Sequence, residues 1–339
     1  MREQLLGKTP VELKDIVLKV GLPAFTGKQI AQWMYGRKVR SIDEMTNISK
    51  AGRERLKEEY SLGVTLPSTC QVSSDGTKKY LFPVGEGNAV EAVMIPDEDR
   101  KTLCVSSQAG CRMGCKFCMT GRQGFHGNLT VADILSQFVA IDESPDLTNA
   151  VFMGMGEPLD NFGNVMRAIE VLTSDWGFGW SPKRVTLSTI GVLPNLRKYL
   201  ESTRCHLAVS LHNPFPDERA EMMPVQKAWP VQEVIEMIRE YDFTGQRRVS
   251  FEYTMFAGLN DDKRHADALI RLLRGLECRV NLIRFHKIPD APFETTPQII
   301  MERFRDRLSN HGITCTIRAS RGEDILAACG MLAGEHSRK

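Results

Sequence analysis

From about residue 100 onward the chain repeats one arrangement, a short apolar or β-branched run followed by a longer amphipathic one. TLCVSSQ (102–108), AVFMGM (150–155), RVTLST (184–189), CHLAVSL (205–211), VSFEYTMF (249–256) and RVNLIRF (279–285) have strand character, with TCTIRA (314–319) as a further short candidate. VADILSQFVAI (131–141), FGNVMRAIEVLTS (162–174), LPNLRKYLES (193–202), VQEVIEMIREYD (231–242), HADALIRLLRGL (265–276) and PQIIMERFRDRLSNHG (297–312) carry the apolar spacing of helices. Such alternation predicts parallel α/β architecture, because each helix returns the chain to the same end of the sheet. Six units are too few for a closed eight-stranded barrel. They suit a partial barrel or an open doubly wound sheet. Either one puts its active site at the C-terminal ends of the strands. The runs SSQ, GMGEP, STIG, SLHN and RFHKIP at those ends fit a ligand-binding rim. Loops of β/α proteins are polar in any case, so the rim by itself establishes only a pocket.

Ahead of the repeat lie three short helical patterns, VELKDIVLKVGL, TGKQIAQWMYGR and SKAGRERLKEEY. A β-rich stretch follows, CQVSS and KKYLFPV around a Ser-Asp-Gly-Thr turn, then AVEAVMIP. The expected divisions are a helical domain at 1–69, a β extension at 70–96, a core at 97–324 and a tail at 325–339. With 42% hydrophobic and 25% charged residues, the chain excludes disordered and fibrous classes. A net charge of +2 neither announces nor excludes a nucleic-acid partner. The N-terminus has no apolar signal region, and no run approaches the roughly 18 apolar residues of a membrane span. The expectation is a cytoplasmic protein without a membrane partner, whose nine cysteines are thiols, ligands or catalysts more than structural disulfides.

The cysteines are not scattered evenly. GCRMGCKFCMTG holds Cys111, Cys115 and Cys118 at C-x3-C-x2-C spacing, directly after the first core strand. A loop of that length can bring three thiolates around one metal centre and leave a coordination position open. A zinc site would want a fourth Cys or His at suitable spacing, and none is evident. Core cysteines would not cluster in a Gly-rich loop, and a structural disulfide is out of place in the cytosol. The spacing therefore predicts a [4Fe-4S] cluster. Cys70, Cys205, Cys278 and Cys315 sit on strands or at their ends and read as core residues.

With Phe117 before its last cysteine, the motif resembles the radical S-adenosylmethionine (SAM) superfamily. The resemblance implies a partial (β/α)6 barrel and a cluster whose open iron is chelated by SAM. GMGEP resembles that superfamily's Gly-Glu motif, and implies that Gly156 and Glu157 receive the SAM amino group. TLCVSSQAGCRMGCKFCMTGRQGF, FMGMGEPLDN, VTLSTIGVLP, AVSLHNP, EYTMFAGLND, VNLIRFH, GEDILAACGML and the N-terminal FTGKQIAQWMYGRKVRSIDEMTNISK narrow the likeness further. Together they resemble the RlmN family of dual-specificity RNA adenine-C2 methyltransferases. That family implies methylation of adenine C2 in 23S rRNA at the peptidyl-transferase centre and in tRNA just 3′ of the anticodon. It uses two SAM molecules per turnover, a 5′-deoxyadenosyl radical, and an electron donor such as flavodoxin or ferredoxin.

Roles for single residues follow from the same resemblance. Cys329, which composition alone reads as a small buried core residue, matches the cysteine that is methylated and then carries the methylene to adenine. Cys104 matches the cysteine that closes a transient disulfide with it and frees the product. Glu91 matches the proton acceptor; the alternating pattern around it reads only as a solvent-facing strand position. Ser188, Ser210, Leu211 and His212 match SAM-binding positions. His286 stands where many relatives have Asn, and either side chain can bond a ribose hydroxyl. Lys28, Arg37, Lys38 and Arg40 beside Trp33 and Tyr35 are candidates for RNA backbone contact, or for helix packing. A C8-specific rRNA adenine methyltransferase and a non-catalytic iron-sulfur RNA-binding protein remain as alternatives.

Overall fold

The computed structural model describes residues 2–85, 87–243, 245 and 247–334; the last five positions of the expected 325–339 tail lie outside them. Ten strands form one sheet: β1 (Thr69–Val72), β2 (Lys78–Val84), β3 (Asn88–Asp97), β4 (Arg100–Cys104), β5 (Asn149–Phe152), β6 (Val185–Thr189), β7 (His206–Ser210), β8 (Val249–Met255), β9 (Arg279–Arg284) and β10 (Thr314–Ile317). Their spatial order follows the chain order from one edge to the other. β1 to β4 form an antiparallel meander, and β4 to β10 are parallel.

Each strand from β4 to β9 is followed by a crossover helix: α4 (Val131–Val139), α5 (Phe162–Thr173), α6 (Leu193–Ser202), α7 (Val231–Arg239), α8 (Lys263–Leu273) and α9 (Gln298–Asn310). A doubly wound sheet reverses its strand order at a switch point, which sends helices to both faces. Here the order never reverses. Right-handed crossovers then put all six helices on one face, and the sheet curls away from them. Among the described residues β1 and β10 do not pair, so the curl stays open. The six-unit partial barrel is the fold, with β10 as a seventh parallel strand.

The first strand run is shorter than its sequence pattern. β4 ends at Cys104, and Gln108–Gly110 instead pairs antiparallel with Phe125–Asn128. The N-terminal helices α1 (Pro10–Lys19), α2 (Thr26–Ala31) and α3 (Lys50–Glu59) form as expected, the second continuing as a π turn through Gln32–Gly36. Trp33 and Tyr35 are buried there, so they pack the domain and offer no stacking face. Lys38 donates to the Ser144 carbonyl and Arg40 to the Ile141 carbonyl, so these two cations fasten the helical domain to the barrel. The reading of Cys70 as core is corrected: it is exposed, because β1 is an edge strand whose four residues are all exposed. Cys205 and Cys315 are buried and Cys278 half-buried.

Candidate active site

The cysteine loop is framed by its own ribbon. At Gly110, φ is +69° and an added Cβ would stand 2.0 Å from the Gly124 carbonyl oxygen, so only glycine allows the ribbon to close. Behind it, the buried Ser106 hydroxyl donates to the Glu91 carbonyl and accepts the Met155 N–H. Gln137 brackets the Ser106 peptide from α4 with one accepted and one donated bond. These bonds fix the end of β4 where the loop departs. Cys111, Cys115 and Cys118 all line a cavity of about 950 Å³, its open mouth included, at the C-terminal ends of the strands. Burial pushes the Cys111 thiol up to about 12 and those of Cys115 and Cys118 upward too. Such thiols become thiolates when a metal takes the proton's place. The buried Arg219 guanidinium lies close enough to Cys115 to favour its thiolate.

Among the described residues, no three His, Cys, Asp or Glu side chains converge tightly enough to hold a single metal ion. A zinc ion needs such convergence. A cubane takes each thiolate on a different iron, so its three sulfurs surround a void instead of a point. Three cysteines spread around one cavity fit a [4Fe-4S] cluster with one iron left open.

The rest of that cavity is built from successive strand ends. Gly156 has φ +96°, and an added Cβ would lie 2.5 Å from the Gln108 Cβ. Glu157 is fully buried; its Oε1 accepts from the Leu159 N–H and the Thr189 hydroxyl, and its Oε2 from the Ile190 N–H. Burial raises its carboxyl to about 7 against these bonds, so a cation placed beside it recovers part of that desolvation cost. Ser188 and Ser210 line the cavity, as does His212. Burial, then Arg219, lowers the His212 imidazole to about 3, so it is neutral. Its Nδ1 accepts the Thr254 N–H, which leaves Nε2–H as its donor. Leu211 does not line the cavity. Its side chain is buried, and its N–H and carbonyl are spent on the Glu252 carbonyl and on Arg219.

Two further cavities meet the first at Cys329. One, of about 530 Å³, is lined by Cys104, Cys118, Met153, Arg318 and Cys329. Cys104 is buried and its thiol pushed up to about 12, first by burial and then by Cys329. Arg318 donates to the Met153 sulfur and to Glu252 Oε2, each at 3.5 Å. The other cavity, of about 1320 Å³, carries Arg100, Lys183, Arg184, Arg248, Arg284, Arg318 and Arg321 with a single carboxylate, Asp97. His286 lies here and not beside the cluster loop, with its ring on Ser320 and Glu323; its neighbour Phe285 faces the cluster cavity instead.

Cys329 is exposed among buried alanines, so it is presented at a junction and not packed as core. Glu91 is buried, in contrast to the solvent-facing position its pattern suggests, because both faces of β3 are covered along most of its length. It lines none of the three cavities, and its carboxylate is engaged by Lys79 and by the tail. Arg219, Arg318 and Glu252 went unnoticed in the sequence. They are isolated charges on a helix, beyond a strand and within a strand, and no spacing marks them.

The comparisons with known proteins agree with this geometry. Residues 105–269 match the radical SAM superfamily, and residues 3–62 match the ribosomal RNA large subunit methyltransferase N-terminal domain. A Porphyromonas gingivalis protein named "Probable dual-specificity RNA methyltransferase RlmN" is 59% identical over 97% of this chain and 96% of its own length. A Syntrophus aciditrophicus protein named "Dual-specificity RNA methyltransferase RlmN" is 41% identical over 96% of this chain and 94% of its own. The crystal structure of a radical SAM methyltransferase from Sphaerobacter thermophilus superposes with a TM-score of 0.94 at 38% identity, covering 98% of this chain and all of that one.

Proposed function

The chain belongs to the RlmN family of dual-specificity RNA methyltransferases, and from that premise we infer that it methylates C2 of adenine in 23S rRNA and tRNA by way of Cys329. One observation supports this above the others: Cys329 lines the cluster-side cavity, the thiol cavity and the basic cavity alike. Adenine C2 is not nucleophilic, so a base cannot displace a methyl group from a sulfonium, whereas a thiolate can. A [4Fe-4S] cluster held by Cys111, Cys115 and Cys118, together with two SAM molecules per turnover, supplies the methyl group and the one-electron cleavage that makes it reactive.

The chain's own residues orient and divide this chemistry. Glu157 offers a buried carboxylate to the SAM ammonium, and Gly156 keeps the backbone open beside it. Ser188, Ser210 and the Nε2–H of His212 offer hydrogen bonds to the rest of SAM. Cys329 borders the cavity that would hold SAM on one side and, on the other, a cavity whose cations suit RNA phosphates. The target base must be splayed out of its stack to reach a sulfur held where three cavities meet. Cys104 shares a cavity with Cys329 and suits the resolving role, closing a disulfide as product leaves. A small one-electron carrier such as flavodoxin or ferredoxin would feed the cluster. No described helix is long and apolar enough to cross a membrane, and RNA substrates of this kind point to the cytoplasm.

The test is anaerobic reconstitution, incubation with both RNAs, digestion and mass analysis. Methyl groups at adenine C2 in both support the reading. Methyl groups at C8 would replace it with the C8 alternative, and failure to cleave SAM or methylate either RNA would overturn it.

A further inference from the structure

The tail that presents Cys329 is held from both sides by two residues of neighbouring strands. Lys79 on β2 and Glu91 on β3 are an ion pair, Nζ to Oε1 at 3.0 Å, with side chains 12% and 5% exposed. Lys79 Nζ also reaches the Leu326 carbonyl at 3.4 Å, three residues before Cys329. Glu91 Oε2 accepts the N–H groups of Ala333 and Gly334 at 2.8 and 3.2 Å, just beyond it. A carboxylate buried this deeply between an ammonium and two amide donors makes charge-assisted bonds, the strong kind. The fit is close: at Gly334 an added Cβ would lie 2.4 Å from the Ala89 carbonyl oxygen. Facing this pair across the tail, the cluster loop supplies only neutral donors: the Met119 N–H on the Gly330 carbonyl, the Thr120 hydroxyl on that of Leu332 and the Gln123 amide on that of Ala333.

We propose that Lys79 and Glu91 form a clasp that seats the Cys329 tail at the junction of the three cavities, with Lys79 a positioning residue for methyl transfer to Cys329. The second half rests on the methyltransferase reading; the first does not. In that reading the Cys329 sulfur loses its thiol proton and displaces S-adenosylhomocysteine from the SAM methyl carbon. The displacement needs the sulfur in line with the breaking bond, and small misplacements slow such a reaction steeply. Leu326 has φ +54° and Gly330 φ +84°, so the segment between them is bent at both ends and does not set its own course. An outside hold is required: Asp75 on the Gly322 N–H fixes where the segment enters, and the clasp is the charged part beyond it. The same contacts commit Glu91 to the tail. Three of its about four acceptor positions are taken, which leaves one, on Oε1, for a proton from adenine.

Reconstituted holoenzyme, kept anaerobic, is compared as wild type, Lys79→Met, Lys79→Arg and Glu91→Gln. Hydrogen–deuterium exchange is read on the tail, and methyl transfer from labelled SAM is read on the tryptic peptide spanning residues 322–338. In Lys79→Met, exchange at 333 and 334 should quicken about tenfold or more, the loss expected for a buried charge-assisted bond left without its partner. Methylation of Cys329 should slow by a similar factor with the KM for SAM and the iron content unchanged. Lys79→Arg, which keeps the charge, should restore both. Glu91→Gln can still accept the tail N–H groups but loses the ion pair, and should match Lys79→Met in exchange. Tail exchange at the wild-type rate in Lys79→Met, or in Glu91→Gln should Lys79→Met not fold, overturns the clasp. Exchange that changes while Cys329 methylation does not overturns the positioning role. A wild-type enzyme that never methylates Cys329 defeats the methyltransferase reading, and exchange still decides the clasp.

Discussion

The buried Glu157 sets a stability profile that can be measured without cofactor or substrate. Its carboxyl lies at about 7 in the folded chain against 4.5 when unfolded, raised by burial against the bonds from Thr189, Ile190 and Leu159. A raised carboxyl means the folded state holds the proton more tightly. That stabilisation is complete below pH 4.5 and is lost as pH climbs through 7. At 1.36 kcal/mol for each pH unit, the interval amounts to about 3 kcal/mol, with no discount because the group is fully buried. For a chain of 339 residues this is about 4 to 5 °C in Tm.

The assay is denaturation of the apoprotein between pH 4.5 and 8.5, wild type against Glu157→Gln. The difference curve matters, because His206 and His212 act oppositely. Their imidazoles, lowered to about 4 and about 3 chiefly by burial, give stability that is present above pH 6.5 and lost as pH falls. Both chains carry these histidines, so they cancel in the difference. Glu157→Gln should be the less stable chain at pH 5, since its amide N–H₂ must face the Ile190 or Leu159 N–H. The wild-type advantage should then shrink by about 3 kcal/mol by pH 8.5. A difference curve flat within about 1 kcal/mol would refute the claim that desolvation outweighs the three bonds.

Alanine at Cys111, Cys115 or Cys118 should each remove most of the iron and all methylation, read by iron analysis and turnover; retained turnover would discard the cluster assignment. Cys104→Ala should leave Cys329 able to accept the methyl group yet accumulate protein joined to RNA, a slow band trimmed by nuclease. Cys329→Ala and the double variant should show none, and an absent band in Cys104→Ala would reverse the assigned order. Replacing Arg184 and Arg321 by Gln should raise the KM for RNA about tenfold in moderate salt and flatten its salt dependence, with reductive SAM cleavage unchanged; an unaltered KM would move the RNA path away from the basic cavity.

What the chain revealed before its structure was what local spacing encodes. The β/α alternation carried the barrel because each unit is bounded by its own periodicity. The cysteine loop stood out because its three thiols fall within eight positions of one another. Where the reading of single residues failed, a neighbour distant in sequence had decided the outcome. Glu91 lies on a strand whose alternation suggests an exposed face, but the meander and the tail cover that face. Cys70 lies in an apolar-looking run that the topology leaves at the sheet edge. For Trp33 and Tyr35, amid a cationic stretch, the sequence left RNA contact and helix packing both open; they turn inward and pack, while Lys38 and Arg40 are drawn onto carbonyls of the barrel.

The same distinction applies to Cys329 and Cys104, the pair proposed to carry the methyl group and to free the product. Nothing in AACGML marks Cys329 as reactive, and nothing around Cys104 marks it as Cys329's partner. Their meeting depends on the curl of the sheet, which brings the end of β4 and the residues beyond β10 to one cavity. A closed barrel would have filled that space with side chains from its remaining strands. The open barrel leaves it for the tail, and the tail brings the sulfur to the junction. The missing strands are therefore part of the site's construction: the gap they leave lets one cysteine border the cysteine loop, the Cys104 thiol and the basic cavity together.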